Sequence, residues 1–261
     1  MPNVKYVVYC LAVDILLRLF LFSIYAVFQA VPPFKRVIHP EEVWLYKNPR
    51  ANNYCPMKVL WEIVLITPSA AIFANYFAHK NRTDVIQAFL TLTLSIGLNG
   101  AITNVVKVIV GRPRPDFYYR CFPTGDGNPY LQDCTGNLTE INEGLKSFPS
   151  GHSSIAFASL GFLSLYIAGK LHLFSSKGKS TTWKLLLFLF PLFIATLVAL
   201  SRVCDYHHHW QDVLCGSILG FCVSWLCYHN YYPPLNTEKC HMPWVQLNEK
   251  RSVDSVAVKE I

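Results

Sequence analysis

The sequence predicts an all-α, polytopic membrane protein with six transmembrane helices. Hydrophobic residues make up 52% of the 261-residue chain and charged ones only 15%, against roughly 25% charged in an average soluble domain. The uncharged residues gather into runs long enough to cross a bilayer, which takes about 20 residues of helix. These runs lack the alternation and regular turn spacing of a membrane β-barrel. The net charge of +7, from 23 Lys and Arg against 16 Asp and Glu, is spread along the chain. No basic block could follow a phosphate backbone, so nucleic acid is excluded as a partner.

The spans follow in order. Residues 85–106, 153–169, 185–201 and 213–237 hold no charged side chain, 59–78 holds only Glu62, and 6–31 only Asp14 and Arg18. Helices are therefore expected over about 6–30, 59–78, 85–106, 154–170, 184–201 and 212–231. Asp14 and Arg18 lie four apart, so they share a helix face and can neutralise each other in lipid. The first run is too long for a cleaved signal, carries charge and lacks a small-x-small site, so it is expected to stay as an anchor. Residues 1–231 form one membrane domain. Residues 232–261, entered through Pro233-Pro234, are expected to be a polar, flexible cytosolic tail.

Six spans put both termini on one side, with the loops 79–84 and 171–183; the loops 32–58, 107–153 and 202–211 lie on the other. The loop near 170–184 holds Lys170, Lys177, Lys179 and Lys184 and no acid, which makes that side cytosolic. Lys35, Arg36, Lys47, Arg50 and Lys58 oppose that reading from the other side. The 107–153 loop is then lumenal or extracellular, in the endoplasmic reticulum or plasma membrane. The nine cysteines include no CxxC pair, but Cys121 and Cys134 both fall in that oxidising compartment and are expected to pair. Two sequons, at Asn81 and Asn137, are separated by the third span alone, so at most one can carry a glycan; Asn137 is the expected one.

Three motifs sit where spans three to six emerge on that side. Lys107 precedes Gly111-Arg112-Pro113-Arg114-Pro115, and each proline biases the residue before it away from helix. Phe148-Pro149-Ser150-Gly151-His152-Ser153 opens the fourth span; Ser150 suits an N-cap, after which free backbone N–H groups can hold an anion. Ser201-Arg202 and Asp205-Tyr206-His207-His208-His209-Trp210-Gln211-Asp212 join spans five and six. Taken singly, each has a plain structural reading: a stop-transfer cluster, a capped helix, a structural or metal site. Adjacent histidines on a helix point about 100° apart and do not converge on one ion. His208 and Asp212 lie four apart, though His209, three from Asp212, remains an alternative. A carboxylate that accepts the Nδ1–H of a histidine leaves Nε2 free as base or nucleophile. The topology gathers cations, a helix N-terminus and histidines at one face, a phosphate-binding arrangement with no acidic cluster for a hard cation.

Together these residues resemble the signature of the type 2 phosphatidic acid phosphatase superfamily, the integral-membrane lipid phosphate phosphatases. The pattern K-x6-R-P, P-S-G-H, S-R-x5-H-x3-D is matched by Lys107, Arg114 and Pro115, by Pro149 to His152, and by Ser201, Arg202, His208 and Asp212. The resemblance implies a phosphatase of membrane lipids such as phosphatidate, lysophosphatidate and diacylglycerol pyrophosphate, needing no metal or cofactor. It implies His208 as the nucleophile that forms a phosphohistidine, Asp212 orienting it, and His152 as the acid and then base. Lys107, Arg114 and Arg202, with Ser150 and Gly151, would hold the phosphoryl oxygens. Arg112, His207 and His209 match no position of the pattern. A polyprenyl diphosphate phosphatase using the same site and a non-catalytic phosphate-binding scaffold or transporter are the alternatives.

Overall fold

Six long apolar helices account for most of the chain, and a computed structural model describes residues 4–127, 133–176, 178 and 181–257. Lys177 and Lys179 lie outside the described residues. Helices α1 (Val4–Ala30), α2 (Met57–His79), α3 (Arg82–Val110), α6 (Gly151–Lys170), α7 (Thr182–Cys204) and α8 (Trp210–Tyr231) each have the length and hydropathy to cross a membrane. The protein is a multi-pass integral membrane protein. Pro68 lies inside α2 and Pro191 inside α7, tolerated in a membrane where neighbours re-satisfy the freed backbone. Two short helices, α4 (Phe117–Cys121) and α5 (Leu138–Gly144), fold the loop between α3 and α6, which a Cys121–Cys134 disulfide closes. A 3₁₀ helix, Pro40–Tyr46, lies between α1 and α2.

Helix α6 is the centre, packed against α8, α7, α3 and α2. Its residues are small or apolar on every side, as a fully surrounded helix requires. Close approach to α8 depends on glycines of the latter. A Cβ at Gly220 would sit 2.1 Å from the Ser154 carbonyl oxygen, and one at Gly216 would sit 2.6 Å from that of Ser150. Without a hydrophobic drive between helices in lipid, such backbone contact is what holds membrane helices together. It also sets the register: the Ser150 N–H donates to the Asp212 carbonyl at 3.0 Å. Side chains such as Leu16, Phe20, Ile66, Phe77, Leu186 and Phe190 face outward, where lipid is their solvent.

Helix α1 packs on α3. The charged pair in it does more than neutralise itself. Arg18 lies 3.7 Å from Asp14 and also donates to Tyr231 Oη at 2.6 Å, to the Leu90 carbonyl at 2.9 Å and to Thr93 Oγ1 at 3.3 Å, fastening α1 to α3 and α8.

The segment expected to be a flexible tail is instead folded onto the bundle. Tyr232, Cys240 and Leu247 are buried, and residues Trp244–Ala257 form α9. The Lys170 ammonium donates to the His241 carbonyl, and the Asn81 amide donates to Gln246 Oε1 at 2.9 Å. The segment is polar on average, but three spaced apolar anchors and the polar ends of α3 and α6 give it enough to bury. At that same end, Asp84 is fully buried. It accepts from Tyr166 Oη at 2.7 Å, Tyr232 Oη at 3.0 Å and Asn75 Nδ2 at 3.0 Å, and pairs with Lys170.

Candidate active site

The opposite end of the bundle holds a cavity of about 220 Å³, lined by Lys107, Arg114, Gly151, His152, Arg202 and His208 among others. Each arrives from a different stretch of chain. Lys107 is in the last turn of α3, which Gly111 caps in a left-handed conformation; residues 112–114, which follow, are not helical. Arg114 is fixed there by its N–H, which donates to the Gly144 carbonyl at 2.8 Å. His152 stands in the first turn of α6, Arg202 in the last turn of α7, and His208 in the turn before α8.

Ser150 is the N-cap of α6, but it does not line the cavity. It is fully buried, and its hydroxyl oxygen accepts from the Ser153 N–H at 3.4 Å and the Ser153 hydroxyl at 2.9 Å. What it presents to the cavity is the helix end it starts: the Gly151 and His152 N–H groups precede those used by the helix ladder and cap. Gly151 leaves room at that end, since a Cβ there would lie 3.2 Å from Lys107 Nζ.

The three histidines diverge, and His208 is not on the helix. Helix α8 begins at Trp210 with His209 as its N-cap, so the four-residue spacing to Asp212 does not act as a helix-face spacing. His208 Nδ1 is 3.9 Å from Asp212 Oδ2. Between them stands Ser147, which the sequence pattern does not mark. Its hydroxyl donates to Asp212 Oδ2 at 2.6 Å and lies 3.4 Å from His208 Nδ1. Its single hydroxyl proton goes to the carboxylate, so Ser147 can only accept from the imidazole. That places a proton on Nδ1 and leaves the Nε2 lone pair free. Burial holds the His208 pKa down to about 3, opposed by Asp212 and reinforced by Arg114 and Lys107. The ring is neutral at physiological pH.

Asp212 is itself held on several sides. Arg112 Nη1 pairs with its Oδ1 at 2.6 Å, and the His209 N–H donates to its Oδ2 at 3.0 Å. Arg112, which the motif leaves unassigned, thus anchors the carboxylate. His209 turns its ring away, to the Pro113 carbonyl at 3.2 Å and the edge of Tyr46. His207 turns to Asp205, with Nδ1 at 3.1 Å from Oδ1, while still lining the cavity. Among the described residues no group of three or more His, Cys, Asp or Glu is placed to hold a metal ion.

His152 has its own fixed partner, the Cys55 carbonyl, 3.1 Å from Nε2. A carbonyl can only accept, so Nε2 carries the proton and Nδ1 is the basic atom. Arg202 pairs with Asp205 at 2.6 Å and donates to Asn53 Oδ1 at 3.3 Å. Arg114 is 3.6 Å from Glu143, and its Nε is buried without a protein partner. From Lys107 the cavity follows one face of α3 through Asn104, Thr103 and Gly100, with Tyr25 and Gln29 of α1 opposite. Seven residues of helix carry it about 10 Å along α3 into the membrane-spanning layer.

The PAP2 superfamily model matches residues 88–234, which include all of these motifs. The chain is 41% identical to "Lipid phosphate phosphatase 2" of Arabidopsis thaliana over 85% of its own length and 77% of the relative's. It is 38% identical to "Lipid phosphate phosphatase 1" of the same plant, over 84% and 68%. It is 31% identical to "Probable diacylglycerol pyrophosphate phosphatase 1" of Schizosaccharomyces pombe, over 91% and 85%. No solved structure matches the chain. With the three motifs drawn into one cavity and a family match across most of the bundle, the chain belongs to the PAP2 superfamily, in the branch of its lipid phosphate phosphatases.

Proposed function

We propose that this protein is a metal-independent phosphatase of membrane lipids that works through a phosphohistidine, with phosphatidate, lysophosphatidate and diacylglycerol pyrophosphate as its substrate class. The observation that carries the reading is the convergence of Lys107, Arg114 and Arg202 on the same cavity as the free Nε2 of His208. A phosphate monoester carries nearly two negative charges at neutral pH. Three fixed cations and the α6 N-terminus can stabilise those charges as they shift in the transition state. The partnerless Arg114 Nε is a donor awaiting an oxygen.

In the first step His208 Nε2 attacks phosphorus, a P–N bond forms and the P–O bond to the lipid alcohol breaks. Once His152 Nδ1 has taken up a proton, it gives that proton to the departing alkoxide. The Cys55 carbonyl, bonded to Nε2–H, steadies the ring throughout. In the second step Nδ1 takes a proton from water, whose oxygen attacks phosphorus, and the P–N bond breaks to release inorganic phosphate. Ser147 and Asp212 keep the His208 proton on Nδ1 and stabilise the positive charge the ring acquires. The extension of the cavity along α3 lets acyl chains stay in lipid while the phosphate reaches the cations.

The test is phosphate release by purified protein in mixed micelles across a panel of lipid phosphates, with and without EDTA. Turnover should survive EDTA, vanadate should inhibit it, and acid-quenched enzyme should carry an acid-labile, alkali-stable phosphoryl label that His208→Ala lacks. A divalent-ion requirement or an unlabelled wild-type enzyme would sink the scheme, and release confined to polyprenyl diphosphates would transfer it to that substrate class.

The same reading places the site on the lumenal or extracellular leaflet. Asn137 is exposed at the start of α5, on the cavity's side of α3. Asn81 is engaged at the other end of α3, where it caps the helix and holds Gln246. In a glycosylating cell, Asn137→Gln should abolish a glycosidase-sensitive mobility shift. Loss of the shift in Asn81→Gln instead would invert the topology.

A further inference from the structure

The wall of the cavity changes character along its length. Its charged groups, Lys107, Arg114, Glu143 and Arg202, gather at the phosphoryl end. Farther along α3, in the membrane-spanning layer, acyl chains call for an apolar wall, yet Thr103 and Asn104 stand there with Gln29 of α1 opposite. Thr103 is accounted for by the Ser154 hydroxyl at 3.1 Å. Asn104 is buried, and its Nδ2 donates to the Tyr25 carbonyl at 2.9 Å and to Gln29 Oε1 at 3.2 Å. A backbone carbonyl can only accept, so the Asn104 atom that reaches it is the amide nitrogen. The Gln29 atom reached by that same nitrogen must then be the oxygen. The Gln29 NH2 is left over, and among the described residues it makes no hydrogen bond. Gln29 stands one residue before α1 ends at Ala30 and is exposed, so a molecule in the bilayer can reach it. Three residues of helix separate Asn104 from Lys107, about 4.5 Å along α3 toward the bilayer centre.

Resting on the phosphatase reading above, we propose that Gln29 is a specificity-determining residue that donates from Nε2 to an ester carbonyl of the substrate's glycerol backbone. In a glycerolipid phosphate the ester carbonyls lie a few bonds from phosphorus, and they accept hydrogen bonds without donating any. With the phosphate on Lys107 and Arg114, they come level with Asn104 and meet the one amide there whose oxygen is already taken. Asn104 is the positioning residue: by holding Oε1 it turns the NH2 to the ligand. A donor left unmatched in a poorly hydrated layer is costly, and the ester carbonyl matches it. A polyprenyl diphosphate has no oxygen beyond its phosphates and gains nothing from Gln29.

The experiment compares kcat/KM for phosphatidate with that for its dialkyl ether analogue of equal chain length, which has the same phosphate and no carbonyl. Both are measured in one preparation and one mixed micelle, so that any loss of folded enzyme cancels in their ratio. Wild-type enzyme should favour the ester lipid about tenfold, the scale of one net hydrogen bond in a poorly hydrated site. Gln29→Met, close in size but without a donor, should bring the ratio to within about twofold of unity. Gln29→Glu keeps an acceptor for Asn104 and loses the donors, so it should do the same and serves if the methionine variant does not fold. A wild-type enzyme indifferent to the carbonyls, or variants that slow both lipids by the same factor, overturns the assignment while leaving the phosphatase reading intact. Wild-type enzyme that releases phosphate from neither lipid overturns both.

Discussion

Helices α3 and α6 each carry an ionisable residue near either end, and the two ends of the pair have opposite fates. At one end α3 supplies Asp84 and α6 supplies Lys170. There the charges meet directly, two tyrosine hydroxyls and an asparagine amide complete the carboxylate's shell, and the C-terminal segment closes over them. At the other end α3 supplies Lys107 and α6 supplies His152, and there the groups surround a cavity. Like charges stand together, and Arg114 keeps a buried N–H without a protein partner. The difference teaches where stability ends and chemistry begins. A buried charge is tolerated when its hydrogen-bonding capacity is filled. A group of buried cations left unfilled is a site prepared for an anion from outside the chain.

The largest effect expected from breaking this contrast is in the open end. His208→Ala should lower kcat about 10³-fold or more, with the unfolding transition in detergent left near that of wild type. A thermal midpoint that fell along with activity would mean that His208 is structural. Asp84→Asn should do the reverse. It leaves Lys170 without its counter-charge and should cost about 3–5 kcal/mol of stability, read from denaturant unfolding in micelles. The enzyme that remains folded should keep the wild-type KM; a raised KM would show that the closed end shapes the cavity.

Ser147→Ala sharpens the comparison inside the open end. Asp212 keeps Arg112 and the His209 N–H, so the fold should hold, but the His208 ring loses its bridge. A fall of about 10²-fold in kcat with little change in KM is expected, the scale of a small misplacement of a reacting group. A loss under twofold would show that Asp212 reaches His208 without the hydroxyl. The smallest effect should come from His209→Ala, which removes a bond to the Pro113 carbonyl but keeps the backbone N–H that Asp212 uses. Activity within a few-fold of wild type is expected; an inactive variant would move the catalytic role one residue along.

How much of this was legible depended on whether the signal was local. The spans stood out because a charge-free run of about 20 residues has one stable solution in a bilayer. The helix starting at Gly151 was expected from Ser150, whose cap is a contact within four residues. The motif residues could be selected as a group because the topology sends the ends of spans three to six to one side. By contrast, Ser147 and Arg112 serve Asp212 across separations of 65 and 100 residues, and no spacing rule reaches that far. The C-terminal segment hides its fold for the same reason: Cys240 and Leu247 look isolated in a polar stretch until the ends of α3 and α6 are brought beneath them.

The sequence by itself therefore determined the membrane class, the six helices, the gathering of the motifs at one end of the bundle and the kinds of side chain available for phosphate chemistry. Those follow from hydropathy, helix capping and connectivity, which act along the chain. Only the tertiary structure decided that Ser147 stands between His208 and Asp212 and that the Cys55 carbonyl leaves Nδ1 as the basic nitrogen of His152. It alone showed that Ser150 turns away from the cavity and that Glu143 turns toward it. A histidine's tautomer is fixed by the partner of its other nitrogen, and here those partners, Ser147 and the Cys55 carbonyl, are delivered by distant segments through the packing of α6 against its neighbours.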